Sequence, residues 1–87
     1  MSGNRLDAFG PVLRKLRLER KLTQDQLSEM VDVTSPYISM LESGHNYPNL
    51  EMILRLADAL RIRPGELLDA MVEEADKTFA NCEMKAG

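Results

Sequence analysis

The sequence predicts an all-α domain of five short helices, and three observations predict it. Apolar residues recur at helical spacing, beginning with Phe9, Val12, Leu13 and Leu16 at i, i+3, i+4 and i+7. Leucine is abundant and β-branched residues are few, which favours helix over sheet. Residues that start and stop helices punctuate the apolar stretches at regular intervals, with Thr23, Asn49 and Pro64 as starts and Gly44 as a stop.

The Phe9–Leu16 stripe places the first helix at about residues 8–20, with Gly10-Pro11 in its first turn, where proline is tolerated. Thr23 and Gln26 form the S/T-x-x-E/Q pattern of a capping box and open a second helix. Its inner face is expected to be Leu27, Met30 and Val31, and it ends near Val31 because Asp32 and Thr34 are turn and cap residues. A helix this short depends on its neighbours for stability. Thr34 or Ser35 caps the third helix, Pro36 sits in its first turn, Ile38 and Leu41 face inward, and Gly44 ends it. After the loop His45-Asn46-Tyr47-Pro48, Asn49 caps a fourth helix with the expected inner stripe Leu50, Ile53, Leu54, Ala57 and Leu60. Pro64 opens a fifth helix containing Leu67, Leu68 and Met71, and from Asp76 onward the composition loosens toward a frayed end.

The 87 residues make one domain, with a core over 8–74 and a C-terminal extension over 75–87. There is no Trp, so the core is aliphatic around Phe9, Tyr37, Tyr47 and Phe79. No apolar run approaches the roughly 20 residues of a membrane span. Met1 to Leu6 carries no apolar targeting segment, and the single Cys82 has no partner for an internal disulfide. The expected location is the cytoplasm. The chain carries a net charge of −3, unevenly spread. Residues 1–21 hold Arg5, Arg14, Lys15, Arg17, Arg20 and Lys21 against Asp7 and Glu19, whereas residues 22–60 hold Arg55 alone against six carboxylates. Any electropositive face is therefore expected from the first helix and from helix ends.

Leu22 to Gly44 sets two short helices on either side of a three- to four-residue turn, with apolar residues where the pair must meet. That is the helix-turn-helix plan, in which the first helix of the pair braces the second so that its N-terminal half reaches base edges in the major groove. The pieces Leu13-Arg14, Leu16-Arg17, Leu22-Thr23-Gln24, Leu27-Ser28, Ser35 to Gly44, Pro48 and Leu56-Ala57-Asp58-Ala59-Leu60 stand in order over residues 9–69. In this order and spacing they resemble the lambda-repressor-like, or XRE-type, helix-turn-helix family. The resemblance implies a five-helix lambda-repressor-like DNA-binding domain and a transcriptional regulator. Three departures stand out. Ser28 stands where the family often has Ala, and Lys21 and Asp32 where it often has Gly; Asp tolerates a left-handed turn better than Lys does.

The candidate DNA-contacting residues follow from the helix-turn-helix plan and the resemblance. Gln24 starts the second helix, where backbone N–H groups attract phosphate. Ser35, Pro36, Tyr37, Ser39 and Met40 lie on the outer or forward side of the third helix. Ser39 can hydrogen-bond bases or phosphate, Pro36 and Met40 can meet thymine methyls, and Tyr37 can reach phosphate. No Arg, Lys, Asn or Gln lies between Val33 and Ser43, so strong bidentate base readout is unavailable there, leaving apolar contacts, bridging water and DNA shape. His45, Asn46 and Tyr47 occupy the segment the family presents to phosphate; as the lone histidine, His45 reads equally well as a plain loop residue. Arg17 and Glu42 match a pair that in the family ties the first helix to the third. Leu68, Met71, Val72, Ala75 and Phe79 continue an apolar stripe that is either ordinary packing, a frayed end or a dimer face.

The expected partner is double-stranded DNA, bound as a homodimer on a near-palindromic site, with no cofactor, metal or small-molecule ligand. The alternative is a protein-interaction module that kept the fold and lost DNA, which the negative charge and the base-poor third helix would suit. One His and one Cys far apart, with no phosphate-binding Gly-rich loop or nucleophile elbow, argue against an enzyme.

Overall fold

A 3-10 turn, Arg5–Ala8, runs straight into helix α1 (Phe9–Glu19), followed by α2 (Gln24–Met30), α3 (Ser35–Ser43), α4 (Leu50–Ala59) and α5 (Pro64–Ala86). The computed structural model describes the backbone of residues 5–86 and the side chains of residues 6–76, and it contains no strand among them. Helix α3 packs on both α1 and α2, while α5 packs on α4, α1 and the 3-10 turn. The core between them is built of Phe9, Leu13, Leu27, Ile38, Leu41, Leu56, Leu60 and Leu67, all essentially inaccessible. Helix α5 continues to Ala86, beyond the loosening expected at Asp76.

Local chemistry sets the helix starts. The capping box at α2 is complete: Thr23 Oγ1 accepts from the Gln26 N–H at 3.0 Å, and Gln26 Oε1 accepts from the Thr23 N–H at 2.8 Å. Thr34, rather than Ser35, caps α3, accepting from the Tyr37 N–H at 3.3 Å. Asn49 caps α4 through the Met52 N–H at 2.8 Å.

The helix ends share one geometry. Each of α1 to α4 closes with a residue at positive φ, namely Lys21 (59°), Asp32 (61°), Gly44 (86°) and Arg61 (62°). The next residue donates back across the end, Leu22 to the Arg17 carbonyl at 3.1 Å, Val33 to Ser28 at 2.9 Å, His45 to Met40 at 2.9 Å and Ile62 to Ala57 at 3.0 Å. These are Schellman closures, which satisfy the last carbonyls and turn the chain sharply. In three of them the residue after the stop, Leu22, Val33 or Ile62, packs against the core.

Two inner faces differ from the sequence expectation. Met30 is 53 % exposed, and α2 instead buries Leu27 and Ser28, with Val31 just beyond its end. In α4, Leu50 (70 %) and Leu54 (48 %) face outward, while Met52, Leu56, Ala57 and Leu60 face inward and Ile53 is half-buried. Residues 50–60 are apolar at so many positions that two stripes fit the helical period, and packing on α5 selects the second. Gly10 has a role beyond a first-turn residue. A Cβ there would run into the backbone carbonyls of Leu41 and Glu42, so its absence lets α1 lie directly on the end of α3.

Gly10→Ala should therefore destabilise the fold by about 2 kcal/mol, because the clash is with rigid backbone. Lys21→Gly should stabilise it by about 1 kcal/mol by removing left-handed strain. Thermal unfolding of the two variants checks both signs; an unchanged midpoint for Gly10→Ala would refute the close-approach argument.

Candidate nucleic-acid interface

Helix α3 is fixed from behind. Its inner face, Ile38 and Leu41, is fully buried, and Tyr37 is half-buried against the same core. At its C-terminal end Glu42 meets Arg17 of α1. Arg17 Nε donates to Glu42 Oε2 at 2.6 Å, Nη2 donates to Oε1 at 3.1 Å, and Nη1 donates to the Leu22 carbonyl at 2.8 Å. The two side chains are only 9 % and 5 % exposed, so the fork-to-fork geometry is held away from water. Gln24, the first residue of α2, adds a third donor to the same carboxylate, Nε2 to Oε1 at 3.0 Å. Gln24 thus helps hold Glu42, a connection that spacing alone did not reveal because the partners lie 18 residues apart.

The outward side of α3 carries Pro36, Ser39, Met40 and Ser43, all exposed, with Ser35 half-buried at its start. These positions recur at i, i+3, i+4 and i+7, a stripe of their own opposite the core. Met40 is 41 % exposed, a large apolar side chain left in water on an otherwise small-residue surface. The Ser43 hydroxyl is occupied locally: Oγ lies 3.3 Å from the Met40 carbonyl and 2.7 Å from His45 Nδ1. Asn46 is half-buried in the loop. Tyr47 turns toward the start of the chain, and its hydroxyl donates to Asp7 Oδ1 at 2.8 Å. That hydrogen bond, together with the Asp7 charge, raises the Tyr47 pKa above the usual tyrosine value.

The charge is arranged differently from a simple basic first helix. Arg17 is consumed by Glu42, and Arg20, though exposed, aims Nε at the Leu60 carbonyl at 2.7 Å, closing the end of α4. Arg14 and Lys15 remain exposed, lining a shallow cleft with Pro11, Leu18, Glu19 and Glu42 beside the end of α3. Arg55 is engaged with Glu51 at 2.7 Å within α4. Among the described residues no three His, Cys, Asp or Glu side chains converge as a metal site, and no helix is long and apolar enough to cross a membrane.

On helix α5, Met71 is 8 % exposed and belongs to the core, so it offers no surface of its own to a partner. The period that groups it with Leu68 and Val72 spans both the inner face and the boundary of the helix. Leu68 is 36 % exposed, Val72 and Ala75 are half-buried, and the Phe79 side chain lies outside the described residues.

A buried helix pair presenting one small-residue stripe, with the preceding short helix braced against it, is the arrangement the family comparison then identifies. Residues 13–67 match the family described as Helix-turn-helix. The chain belongs to that family. Control protein C.BamHI of Bacillus amyloliquefaciens is 33 % identical over 98 % of this chain and 99 % of its own length. The HTH-type transcriptional repressor RghR of Bacillus subtilis (strain 168) is 43 % identical over 92 % of this chain, which spans 62 % of that repressor. Among solved structures, the restriction-modification controller protein C.AhdI from Aeromonas hydrophila is similar, with a TM-score of 0.68 and 39 % identity over 71 % of this chain and 94 % of that one. In this helix-turn-helix protein α2 and α3 are the motif pair, and the Arg17–Glu42–Gln24 cluster is its internal brace.

Arg17→Ala should lower stability by about 3 kcal/mol, because Glu42 would be left charged and buried without its main partner. The double variant Arg17→Met/Glu42→Leu should recover part of that loss, since an apolar pair has no charge to desolvate. Chemical denaturation of the three proteins decides it, and a fully stable Arg17→Ala protein would remove the brace from the account.

Proposed function

We propose that the protein is a sequence-specific DNA-binding transcriptional regulator that acts as a homodimer on a near-palindromic operator, with α3 in the major groove. The observation that carries this reading is the exposed stripe Pro36–Ser39–Met40–Ser43 on a helix whose opposite face is locked to α1 and α2. Side chains of that size let a helix approach base edges closely. Gln24, Ser35 and Tyr37 at the helix starts, and His45, Asn46 and Tyr47 in the following loop, are the proposed flanking contacts, chiefly to phosphate and sugar. Arg14 and Lys15 join them as the exposed cations beside α3. C.AhdI is a restriction-modification controller protein, and that likeness favours control of such a system as the setting.

The dimer is proposed because a single domain with few cations and no guanidinium or amide on α3 gains affinity from a second engagement on the same duplex. Two-fold symmetry would set the two α3 helices about 34 Å apart. The described apolar residues available for it are Leu50 and Leu54 of α4 with Leu68 of α5, extended by the half-buried Val72 and Ala75.

Binding to a random duplex should be measurable at low salt and fall steeply as salt rises, by about one power of salt concentration per phosphate contact. No binding under those conditions would favour the protein-interaction module that the net charge of −3 suits. Leu50→Glu/Leu54→Glu should shift the sedimenting species from dimer to monomer and weaken operator binding without unfolding the domain. A one-to-one complex of the parent protein on a palindromic site would overturn the dimer.

A further inference from the structure

The reading face of α3 has an unusual chemical inventory. Pro36 and Met40 stand one helical turn apart on its exposed side, with Ser39 between them and Ser35 at the entry. Met40 leaves 41 % of its surface in water and is not among the residues of the hydrophobic core. No Arg, Lys, Asn or Gln, the side chains that tell guanine or adenine by paired hydrogen bonds, stands on α3. Glu42 is held by Arg17 and Gln24, and the Ser43 hydroxyl is engaged with the Met40 carbonyl and His45. What remains is an apolar ridge, Pro36 to Met40, edged by the Ser35 and Ser39 hydroxyls.

In the major groove one base feature is apolar, the C5-methyl group of thymine. A methyl packed against Pro36 or Met40 leaves water together with the exposed side chain, and both losses of apolar surface favour binding. A cytosine at that position offers an amino donor and no methyl, which the ridge cannot satisfy. Resting on the proposed DNA-reading role of α3, we infer that operator discrimination at this helix is carried chiefly by thymine C5-methyl groups seated on the Pro36–Met40 ridge, with the serine hydroxyls tolerating more than one base beside them. The ligand class is then a duplex whose half-sites place thymines under residues 36 and 40, and the recognised group is a methyl rather than a hydrogen-bonding edge.

The test uses the full chain and an operator selected from a random duplex library. Each thymine of one half-site is replaced in turn by uracil, which removes one methyl and keeps the hydrogen-bonding pattern. Burial of one methyl group is worth about 0.8 kcal/mol, so each responsible position should lose about 4-fold in affinity, and the symmetric pair of positions about 15-fold. Met40→Ala should weaken binding to the thymine operator and shrink the thymine–uracil difference at one position while leaving the others intact. Replacing a responsible T·A pair by 5-methylcytosine·G should retain more affinity than replacing it by C·G. Equal binding of thymine and uracil operators at every position, with the selected site still preferred over random duplex, would overturn the methyl reading and leave the DNA-binding role standing. Failure to prefer any selected site would overturn both.

Discussion

The Arg17–Glu42 pair is the constraint on which the rest of the structure depends. One guanidinium spans α1, α3 and the turn between α1 and α2, because its three nitrogens reach the carboxylate of Glu42 and the carbonyl of Leu22. Gln24 closes the remaining side of the carboxylate and thereby fixes the first turn of α2. A buried ion pair of this kind adds little net stability relative to an apolar substitute, because both charges must be desolvated. Its contribution is geometric. The planar fork accepts one orientation, and that orientation sets how far α3 stands from α1 and which of its residues face outward. Gly10 completes the same junction from the backbone side, allowing a contact that any side chain would prevent.

Much of the fold is legible in the sequence, because its determinants are local. The capping box at Thr23, the Asn49 cap and the Gly44 stop each act within a few residues, and each is found where its residue type suggests. The α4 register was not legible, since an almost continuously apolar segment fits two stripes and only the packing of α5 distinguishes them. The role of Gly10 was hidden for a related reason: a glycine beside a proline reads as a turn residue until the helix lying against it is known. Within the candidate site, the period gives Pro36, Ser39 and Met40 of the outward stripe of α3, but it also puts Tyr37 there, which packs half-buried on the core, and leaves out the exposed Ser43. The engagement of Gln24 and Arg20 does not follow from it, because both bind partners distant in sequence and a side chain's hydrogen-bond partner has no periodic signature.

The charge distribution has the same character. Composition places most of the positive charge near the start of the chain, and the fold then spends two of those cations internally, Arg17 on Glu42 and Arg20 on the end of α4. Beside the end of α3, Arg14 and Lys15 are exposed. An acidic protein that holds two of its cations internally would gain little long-range attraction to a polyanion.

The separation of the two faces of α3 has a consequence for how such a chain can change over generations. Ile38, Leu41 and Glu42 are tied into the interior, so nearly every replacement there threatens folding. Pro36, Ser39 and Met40 face solvent, and substitutions at such sites typically alter stability by only about 0.5 kcal/mol. The helix therefore divides inheritance into two nearly independent parts. The inward residues preserve the scaffold, and the outward ones are open to drift and reselection. A lineage can vary the exposed side of this helix by one or two replacements without first passing through a poorly folded ancestor.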